Sequence, residues 1–259
     1  MLSIITPVLN SAEYIEENIR AISKLPFEHE HIIVDGGSTD GTLEILDNHR
    51  TNIRLLSQSK NNGMYGAIDE GFKCAKGKYI TYVNADDRPL SDGYIAMYAE
   101  ITSERCDFVY GDSILYFKNE RRLQRFHGKH FGKFLLKNGV MPFVQPSSMY
   151  TRELYEEVGG FNHETFRIIG DRDLFQRMAL TQARFRYLPV DASIFLKYGA
   201  SLADRSRDRH LIERNFCIKN NDRGMCRVVF HISSLYSRLV RSGRNQGGDL
   251  LQLYSDGQR

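Results

Sequence analysis

Residues 79–87 have the sequence Tyr-Ile-Thr-Tyr-Val-Asn-Ala-Asp-Asp, an apolar run that ends in two adjacent carboxylates. The aromatic and β-branched side chains at its start predict a buried strand. Asp86 and Asp87 repel each other unless positive charge lies nearby, and a divalent cation that prefers oxygen ligands, Mg²⁺ or Mn²⁺, suits this pair better than zinc. A turn in which the two carboxylates only cap and solvate the chain is the alternative.

The same alternation of a short apolar run and a longer helical pattern extends to both sides of this stretch. Predicted strands lie at 3–8, 31–35, 53–56, 79–83 and 107–110. Because strands that alternate with helices form parallel sheets, we predict an α/β fold with a mostly parallel sheet and helices on both faces. Asn10 and Glu13 fit the reciprocal capping positions of the first helix.

The second half of the chain is less regular. Residues 114–126 alternate apolar and basic side chains, which predicts a hairpin, and residues 185–198 predict extended segments. A helical pattern covers 171–179, and a basic helical pattern begins near 204.

Polar groups follow several of the predicted strands, where sheets of this kind bind their ligands. Asn10, Asp35 and the carboxylates at 86–87 all occupy such positions. Asp35 precedes the glycine-rich segment 36–41, which either lets a ligand approach the backbone or only starts the next helix. The segment is not a GxGxxG sequence, and the chain has no GxxxxGK phosphate loop, so dinucleotide-binding dehydrogenases and P-loop enzymes are disfavoured.

Residues 170–174, Gly-Asp-Arg-Asp-Leu, open a predicted helix. A carboxylate in the first turn of a helix is favoured by the helix dipole, so Asp171 fits a capping role. It fits equally well the role of a general base opposite a nucleotide site. Asp173 lies two residues further on and is expected to pair with Arg172 or Arg177.

These segments occur in an order that resembles a known family. They are Ser-Ile-Ile-Thr-Pro-Val-Leu-Asn at 3–10, Ile-Val-Asp-Gly-Gly-Ser-Thr-Asp-Gly-Thr at 33–42, Asn-Gly-Met-Tyr at 62–65, Gly-Lys-Tyr-Ile at 77–80, Asn-Ala-Asp-Asp at 84–87, Gly-Gly-Phe at 159–161 and Asp-Arg-Asp-Leu at 171–174. Over about residues 1–200 the chain resembles the family-2 inverting glycosyltransferases of the GT-A fold, especially the bacterial polysaccharide-assembly branch that includes colanic-acid-type enzymes.

The resemblance implies transfer of a sugar from a nucleotide-sugar donor, with UDP expected, to an acceptor hydroxyl with inversion at the anomeric carbon. It also implies a divalent cation, Mn²⁺ or Mg²⁺, and a saccharide acceptor carried by a lipid in the assembly of a bacterial surface polysaccharide. By position, Asp87 is the principal metal ligand, Asp86 contacts the ribose or the metal, and Asp171 deprotonates the acceptor. The implied donor-binding residues are Thr6, Pro7, Asp35, Asn62, Gly63, Met64 and Asp86.

Some positions depart from the family pattern. Asn84 and Gly66 stand where the family often has Asp, Gly170 stands where it has an acidic residue, and Val144 stands where it often has His. A non-catalytic paralogue that binds a nucleotide sugar is therefore one alternative function. A sugar nucleotidyltransferase is another, although residues 6–12 lack the glycine-rich basic loop that such an enzyme requires.

The composition is that of a globular protein, because 41% of the 259 residues are hydrophobic and 26% are charged. Disordered and collagen-like chains are thereby excluded. No apolar run reaches the roughly 18 residues of a membrane-spanning helix. The amino-terminal run resembles a first strand and not a signal peptide, so we expect a cytoplasmic protein.

The charge is unevenly distributed. Residues 1–203 carry 24 basic and 26 acidic side chains, whereas residues 204–259 carry 11 and 6, and a second basic cluster lies at 118–137. We predict a GT-A domain at 1–203, with a donor half at about 1–112 and an acceptor half at about 113–203, followed by a basic helical appendage. The appendage either packs on the domain or binds anionic lipid at the inner face of the cell membrane. Nucleic acid is not expected as a partner, because no binding motif accompanies the charge.

Overall fold

The first strand, β1 (Leu2–Val8), lies in the middle of the parallel part of the sheet, and all seven of its residues are buried. Such burial on both faces is typical of a central parallel strand. It pairs in parallel with β2 (His29–Asp35) and β4 (Tyr79–Tyr82), and β2 pairs in parallel with β3 (Arg54–Ser57). The predicted parallel arrangement of the amino-terminal strands is therefore confirmed.

The rest of the sheet is mixed. Its strands are β5 (Arg88–Pro89), β6 (Phe108–Phe117), β7 (Arg122–Phe126), β8 (Ser148–Thr151) and β9 (Phe185–Lys197). In the described residues the strand order is β3-β2-β1-β4-β8-β6-β9-β5, with β7 also paired to β6. The β8 strand runs antiparallel to both β4 and β6, and thus joins the parallel half to the second half.

Helices cover both faces of the sheet, as predicted. They are α1 (Ile15–Ser23), α2 (Thr42–Asn48), α3 (Gly63–Cys74), α4 (Ser91–Thr102), α5 (Gly132–Lys137), α6 (Arg152–Glu157) and α7 (Gly170–Leu180). One apolar core contains residues of α3 and α7, and another contains residues of α1 and α4. This layered arrangement leaves the carboxyl ends of β1, β2 and β4 together at one edge.

The structure describes residues 1–58, 62–198, 208–209 and 211–213 in this computed structural model. The predicted boundary at 203 and most of the basic appendage lie outside these residues. Within the described ranges, no helix has the length and apolar character needed to cross a bilayer.

The second half of the chain follows its predicted pattern in part. The strands β6 and β7 form the predicted antiparallel hairpin, joined by a 3₁₀ turn at Lys118–Glu120. The extended residues after 185 form one long strand, β9, which runs parallel to β6. The prediction of a helix at 171–179 is confirmed by α7.

The predicted cap at Asn10 is wrong. Helix α1 begins at Ile15 after Tyr14, which makes no side-chain capping bond. Asn10 has a positive φ of 50°, and its side-chain oxygen accepts the Thr39 N–H at 2.9 Å. The amide that fitted a helix cap instead joins the loop after β1 to the loop after β2.

His31 is a buried titratable group beneath this edge of the sheet. It lies in β2, and its Nε2 is 2.9 Å from the Thr6 hydroxyl. Burial, with a smaller contribution from His29, lowers the pKa of His31 from 6.5 to about 3. The imidazole is therefore neutral in the folded protein at neutral pH.

We expect this neutral histidine to make folding sensitive to acid. Below its ordinary pKa of 6.5 the unfolded chain binds a proton that the folded chain excludes until about pH 3. Stability is therefore lost as the pH falls through this window, by about 1.4 kcal/mol per pH unit at most. Between pH 7 and pH 5, urea unfolding should show a loss about 2 kcal/mol larger in the wild type than in His31→Gln. An equal loss in both proteins would contradict the assignment.

Candidate active site

The turn after β4 carries Asn84, Asp86 and Asp87. The Asp87 N–H donates to the Asn84 carbonyl at 3.0 Å and closes the turn. The buried side-chain amide of Asn18, in α1, donates to the carbonyls of Asn84 at 3.0 Å and of Asp87 at 2.9 Å. Helix α1 therefore holds the turn in place, a role that no local sequence pattern indicated.

The two carboxylates of this turn have different environments. Asp87 is 1% exposed, and its oxygens accept the Leu196 N–H at 3.2 Å and the Asn84 side-chain N–H at 3.3 Å. Burial raises the pKa of Asp87 well above its usual value, and the charge of Asp86 adds to the shift. Asp86 is only partly buried; burial raises its pKa too, while a hydrogen bond with the Tyr198 side chain opposes the shift. Asp86 is the more accessible carboxylate.

The chemistry of this turn fits a hard divalent cation. The side-chain oxygen of Asn84 is buried and has no hydrogen-bond partner among the described residues. Together with Asp86 and Asp87 it makes a set of oxygen donors, which Mg²⁺ and Mn²⁺ prefer. The described part of the chain has no cluster of three His, Cys, Asp or Glu side chains that could hold a metal. A cation here would need further ligands from a substrate, as Mg²⁺ commonly does.

The predicted donor residues on β1 and β2 are buried. The Asp35 carboxylate accepts the N–H groups of Gly37 at 2.8 Å and Ser38 at 3.1 Å, so it stiffens its own loop. Thr6 is fully buried, and its hydroxyl lies against His31 and the Asn18 side chain. Pro7 is buried as well. These residues shape the sheet edge, and their contact with a base or ribose stays a prediction.

Asn62 directly precedes helix α3, and Gly63 and Met64 are its first two residues. Their contact with a nucleotide stays a prediction. Gly63 has φ 70°, a conformation that favours glycine. A Cβ on it would lie 3.0 Å from the Arg167 guanidinium, so its lack of a side chain lets Arg167 approach this helix start. Met64 is partly buried and packs against the core.

Asp171 lies in the first turn of α7 and is partly buried. Its Oδ1 accepts the Tyr65 hydroxyl at 3.0 Å and the Arg172 N–H at 2.8 Å. Burial raises the pKa of Asp171, and the hydrogen bonds from Arg172 and Tyr65 offset part of that shift. A carboxylate of raised pKa, oriented by two donors, is suited to accept a proton. Asp173 instead pairs with Arg177 at 2.8 Å.

Tyr82, at the end of β4, lies between Asp171 and the carboxylate turn in the fold. Burial raises its pKa far above the usual value, and the charges of Asp171 and Asp87 both add to the shift. The rings of Tyr82 and Tyr65 both pack against Phe161, with ring centroids 5.8 and 5.0 Å away, and the Tyr65 hydroxyl donates to Asp171. The structure brings the two predicted centres, one on α7 and one after β4, to the same region.

Two departures from the expected pattern have a steric explanation. A Cβ on Gly170 would lie 2.7 Å from the ring of Tyr65, whose hydroxyl binds Asp171. A Cβ on Gly66 would lie 2.3 Å from the Cβ of Asn62. The acidic side chains common in the family do not fit this packing.

The profile described as Glycosyl transferase family 2 matches residues 3–159, more than half of the chain. The chain belongs to this family. The protein is thus a glycosyltransferase, and the family expected from the motifs is confirmed. Membership disfavours the alternative of a sugar nucleotidyltransferase.

Individual relatives agree with this family-2 assignment. A PGL/p-HBAD biosynthesis glycosyltransferase from Mycobacterium bovis is 28% identical over 224 residues, which cover 83% of each chain. Among solved structures, S. aureus TarS in complex with UDP-GlcNAc is 20% identical with a TM-score of 0.57, and covers 77% of this chain and 59% of its own. The mannosyltransferase PcManGT from Pyrobaculum calidifontis, in complex with GDP-Man and Mn²⁺, is 16% identical with a TM-score of 0.63, and covers 98% of this chain and 79% of its own. These likenesses confirm the predicted GT-A fold.

Sequence reasoning missed several residues of this glycosyltransferase site. Asn18 acts through contacts with a distant segment, which no short motif announces. Tyr65 lies within a quoted motif, but its bond to Asp171 spans 106 positions. The only local signal is that Tyr65 lies between Gly63 and Gly66 at the start of a helix.

Proposed function

We propose that this family-2 glycosyltransferase moves a sugar from a nucleotide-sugar donor to an acceptor hydroxyl, with inversion, and that Asp171 is its base. The observation that carries the proposal is the partly buried Asp171 carboxylate, oriented by Tyr65 and lying in the same region as the carboxylate turn. One proton acceptor and one separate set of oxygen donors are the two components that such a transfer requires.

The chemistry needs no covalent enzyme intermediate. Asp171 takes the proton of the acceptor hydroxyl while the acceptor oxygen forms a bond to the anomeric carbon. The bond from that carbon to the diphosphate oxygen breaks on the opposite face, and its electron pair leaves with the nucleotide diphosphate. Attack opposite the leaving group inverts the anomeric configuration.

The donor is proposed to be a UDP sugar bound with Mn²⁺ or Mg²⁺. TarS is seen with UDP-GlcNAc, and PcManGT with GDP-Man and Mn²⁺, so nucleotide sugars and a cation occur in relatives of this fold. A bound cation would supply positive charge to the departing diphosphate. Asp86 and the free oxygen of Asn84 are the groups best placed to hold it, because the Asp87 oxygens already accept two protein N–H groups.

Association with an anionic membrane is proposed through a surface at one end of the α5–α7 pair. Gln176 donates to the Lys137 carbonyl at 3.3 Å, and Lys133 donates to the Ala183 carbonyl at 2.7 Å, so the two helices run antiparallel. The start of α5 therefore lies beside the end of α7. Asp171 lies at the other end of α7, about 15 Å away at 1.5 Å per residue.

Apolar side chains are unusually exposed at this end. Phe131 is 81% exposed, Phe134 is 54% exposed and Leu180 is 62% exposed. Phe131 has a φ of 62°, a conformation unfavourable for a bulky residue. Lys133 and Lys137 are close enough for Lys137 to lower the pKa of Lys133, after the larger effect of burial. Exposed aromatic rings beside lysines fit a surface of anionic lipid, where a lipid-linked saccharide acceptor for polysaccharide assembly would be found.

We expect Asp171→Asn to lower the transfer rate about 100- to 10,000-fold, because an amide cannot accept the acceptor proton. In the wild type, the acidic limb of kcat/KM should lie above the ordinary Asp pKa of 3.8, since burial raises the pKa of Asp171. Initial rates with a panel of UDP, GDP and dTDP sugars, taken over a range of pH, measure the rate loss and the acidic limb. NMR of the product anomer measures whether the configuration is inverted. Asp173→Asn on the same helix is the matched control and should keep near wild-type turnover. Wild-type rates in Asp171→Asn, or retained configuration, would refute the proposal.

The two neighbouring carboxylates should behave differently when neutralised. Asp86→Asn is expected to weaken the Mn²⁺-dependent binding of UDP at least tenfold with little change in thermal stability. Asp87→Asn should lower the free energy of unfolding by about 1–3 kcal/mol, because the amide nitrogen that replaces one carboxylate oxygen cannot accept the buried N–H group bound there. Isothermal titration with UDP, with and without Mn²⁺, and urea unfolding compare the pair. The reverse pattern would restore Asp87 as the principal metal ligand.

The double variant Phe131→Ser/Phe134→Ser should bind vesicles of phosphatidylglycerol and phosphatidylcholine much more weakly than the wild type in a sedimentation assay. Pure phosphatidylcholine vesicles should bind neither protein well, since the lysines then have no anionic partner. Leu43→Ser/Ile95→Ser changes two exposed apolar side chains elsewhere and serves as the matched control. Equal binding by the wild type and the Phe variant would remove this surface from the membrane contact.

A further inference from the structure

Glu213 lies beyond the family match and within the predicted appendage, yet it is buried against the domain. Residues 208–209 and 211–213 are helical, and Glu213 is only 4% exposed. Its carboxylate accepts the backbone N–H groups of Arg167 and Ile168 at 2.9 Å and of Ile169 at 3.2 Å. Three consecutive N–H groups are thus gathered on one side chain, directly before helix α7.

The charge of Glu213 is well compensated. Burial acts to raise its pKa, but the N–H groups of Arg167 to Ile169 and the hydrogen bond from Arg209 outweigh that effect and hold the pKa below its ordinary value. Arg209 lies 2.9 Å from the carboxylate, one helical turn earlier. Glu213 is therefore ionised at neutral pH, and charge-assisted hydrogen bonds are stronger than neutral ones.

The peptide of Ile168 connects this anchor to the base. Its N–H donates to Glu213, and its carbonyl accepts the Tyr65 hydroxyl at 3.0 Å. The same hydroxyl lies 3.0 Å from the Oδ1 of Asp171. Glu213, Ile168, Tyr65 and Asp171 therefore form one continuous chain of hydrogen-bonding groups.

Tyr65 has one hydroxyl hydrogen for these two acceptors. When Asp171 is ionised, the Tyr65 hydroxyl donates preferentially to its carboxylate, because hydrogen bonds to charged groups are the stronger. When Asp171 has taken a proton, it can donate to the Tyr65 oxygen, and Tyr65 then turns its hydrogen to the Ile168 carbonyl. The Ile168 carbonyl must therefore lie within reach of the Tyr65 hydroxyl if Tyr65 is to accept a hydrogen bond from protonated Asp171.

We infer that Glu213 is a positioning residue for the base: it fixes the Ile168 peptide, and through Tyr65 it orients Asp171 for proton transfer. Residues 208–209 and 211–213 then belong functionally to the catalytic unit, although the charge pattern places them after the boundary predicted at 203. This inference rests on the proposed function, in which Asp171 is the base.

The test compares Glu213→Gln, Tyr65→Phe and the double variant. Glu213→Gln should lower kcat about tenfold, a fraction of what a general base contributes, and leave the donor KM within about twofold. The acidic limb of the pH profile should move upward in both single variants, because the Tyr65 hydrogen bond lowers the pKa of Asp171. The double variant should resemble Tyr65→Phe, since both changes act through one chain of contacts.

The pH profile also depends on the other titratable and charged groups that face Asp171. They come from four elements and are Tyr65, Tyr82, Tyr150 and Arg172. Asp208→Asn is the matched control, because it removes one negative charge from the same short helical stretch at an exposed position. It should change neither kcat nor the pH profile.

A lower melting temperature in Glu213→Gln with an unchanged kcat and pH profile would overturn the inference and leave a purely structural role. Additive losses in the double variant would overturn it as well. If Glu213→Gln does not fold, Glu213→Asp, which keeps the charge on a shorter side chain, takes its place. Its kcat is then expected to lie below that of the wild type, and the acidic limb of its pH profile should move upward. NMR titration of the Asp171 carboxyl reads its pKa without substrate, so an upward shift would support positioning even if Asp171→Asn showed that the proposed function is wrong.

Discussion

The side-chain amide of Asn18 is the constraint on which the carboxylate edge of this glycosyltransferase depends. Both of its N–H groups donate to carbonyls of the turn at 84–87, and its oxygen accepts the Thr6 hydroxyl at 3.4 Å. A buried amide whose donors and acceptor are all used holds its neighbours firmly, because the loss of any one partner leaves a buried polar group unpaired. Strand β1, helix α1 and the turn are thereby fixed as one unit.

The features that could be predicted are those with a short sequence signature. Strand β1 is buried on both faces and rich in Ile, Leu and Val, and apolar residues of the helices between strands recur at helical spacing. The parallel strands and the grouping of polar residues at their ends follow from that pattern. Asp171 was recognisable because it opens a helix, and the family motifs gave its expected role.

The features that could not be predicted depend on partners far away in the chain. Asp87 is buried because β9 supplies the Leu196 N–H across 109 positions, and a local pattern cannot report that. Asn10 is a residue type that often caps helices, but its side-chain oxygen instead accepts the Thr39 N–H from the loop after β2. Glu213 lies in a segment with an excess of basic residues, and a count of charges cannot predict that this one acidic side chain is buried.

The packing of Gly170 against the Tyr65 ring limits which side chains this backbone can carry at the two positions together. A side chain at 170 has no room while the ring is present, and a smaller residue at 65 would remove the hydroxyl that binds Asp171. With this backbone, a longer side chain at 170 would displace the ring, and with it the hydroxyl that is hydrogen-bonded to Asp171.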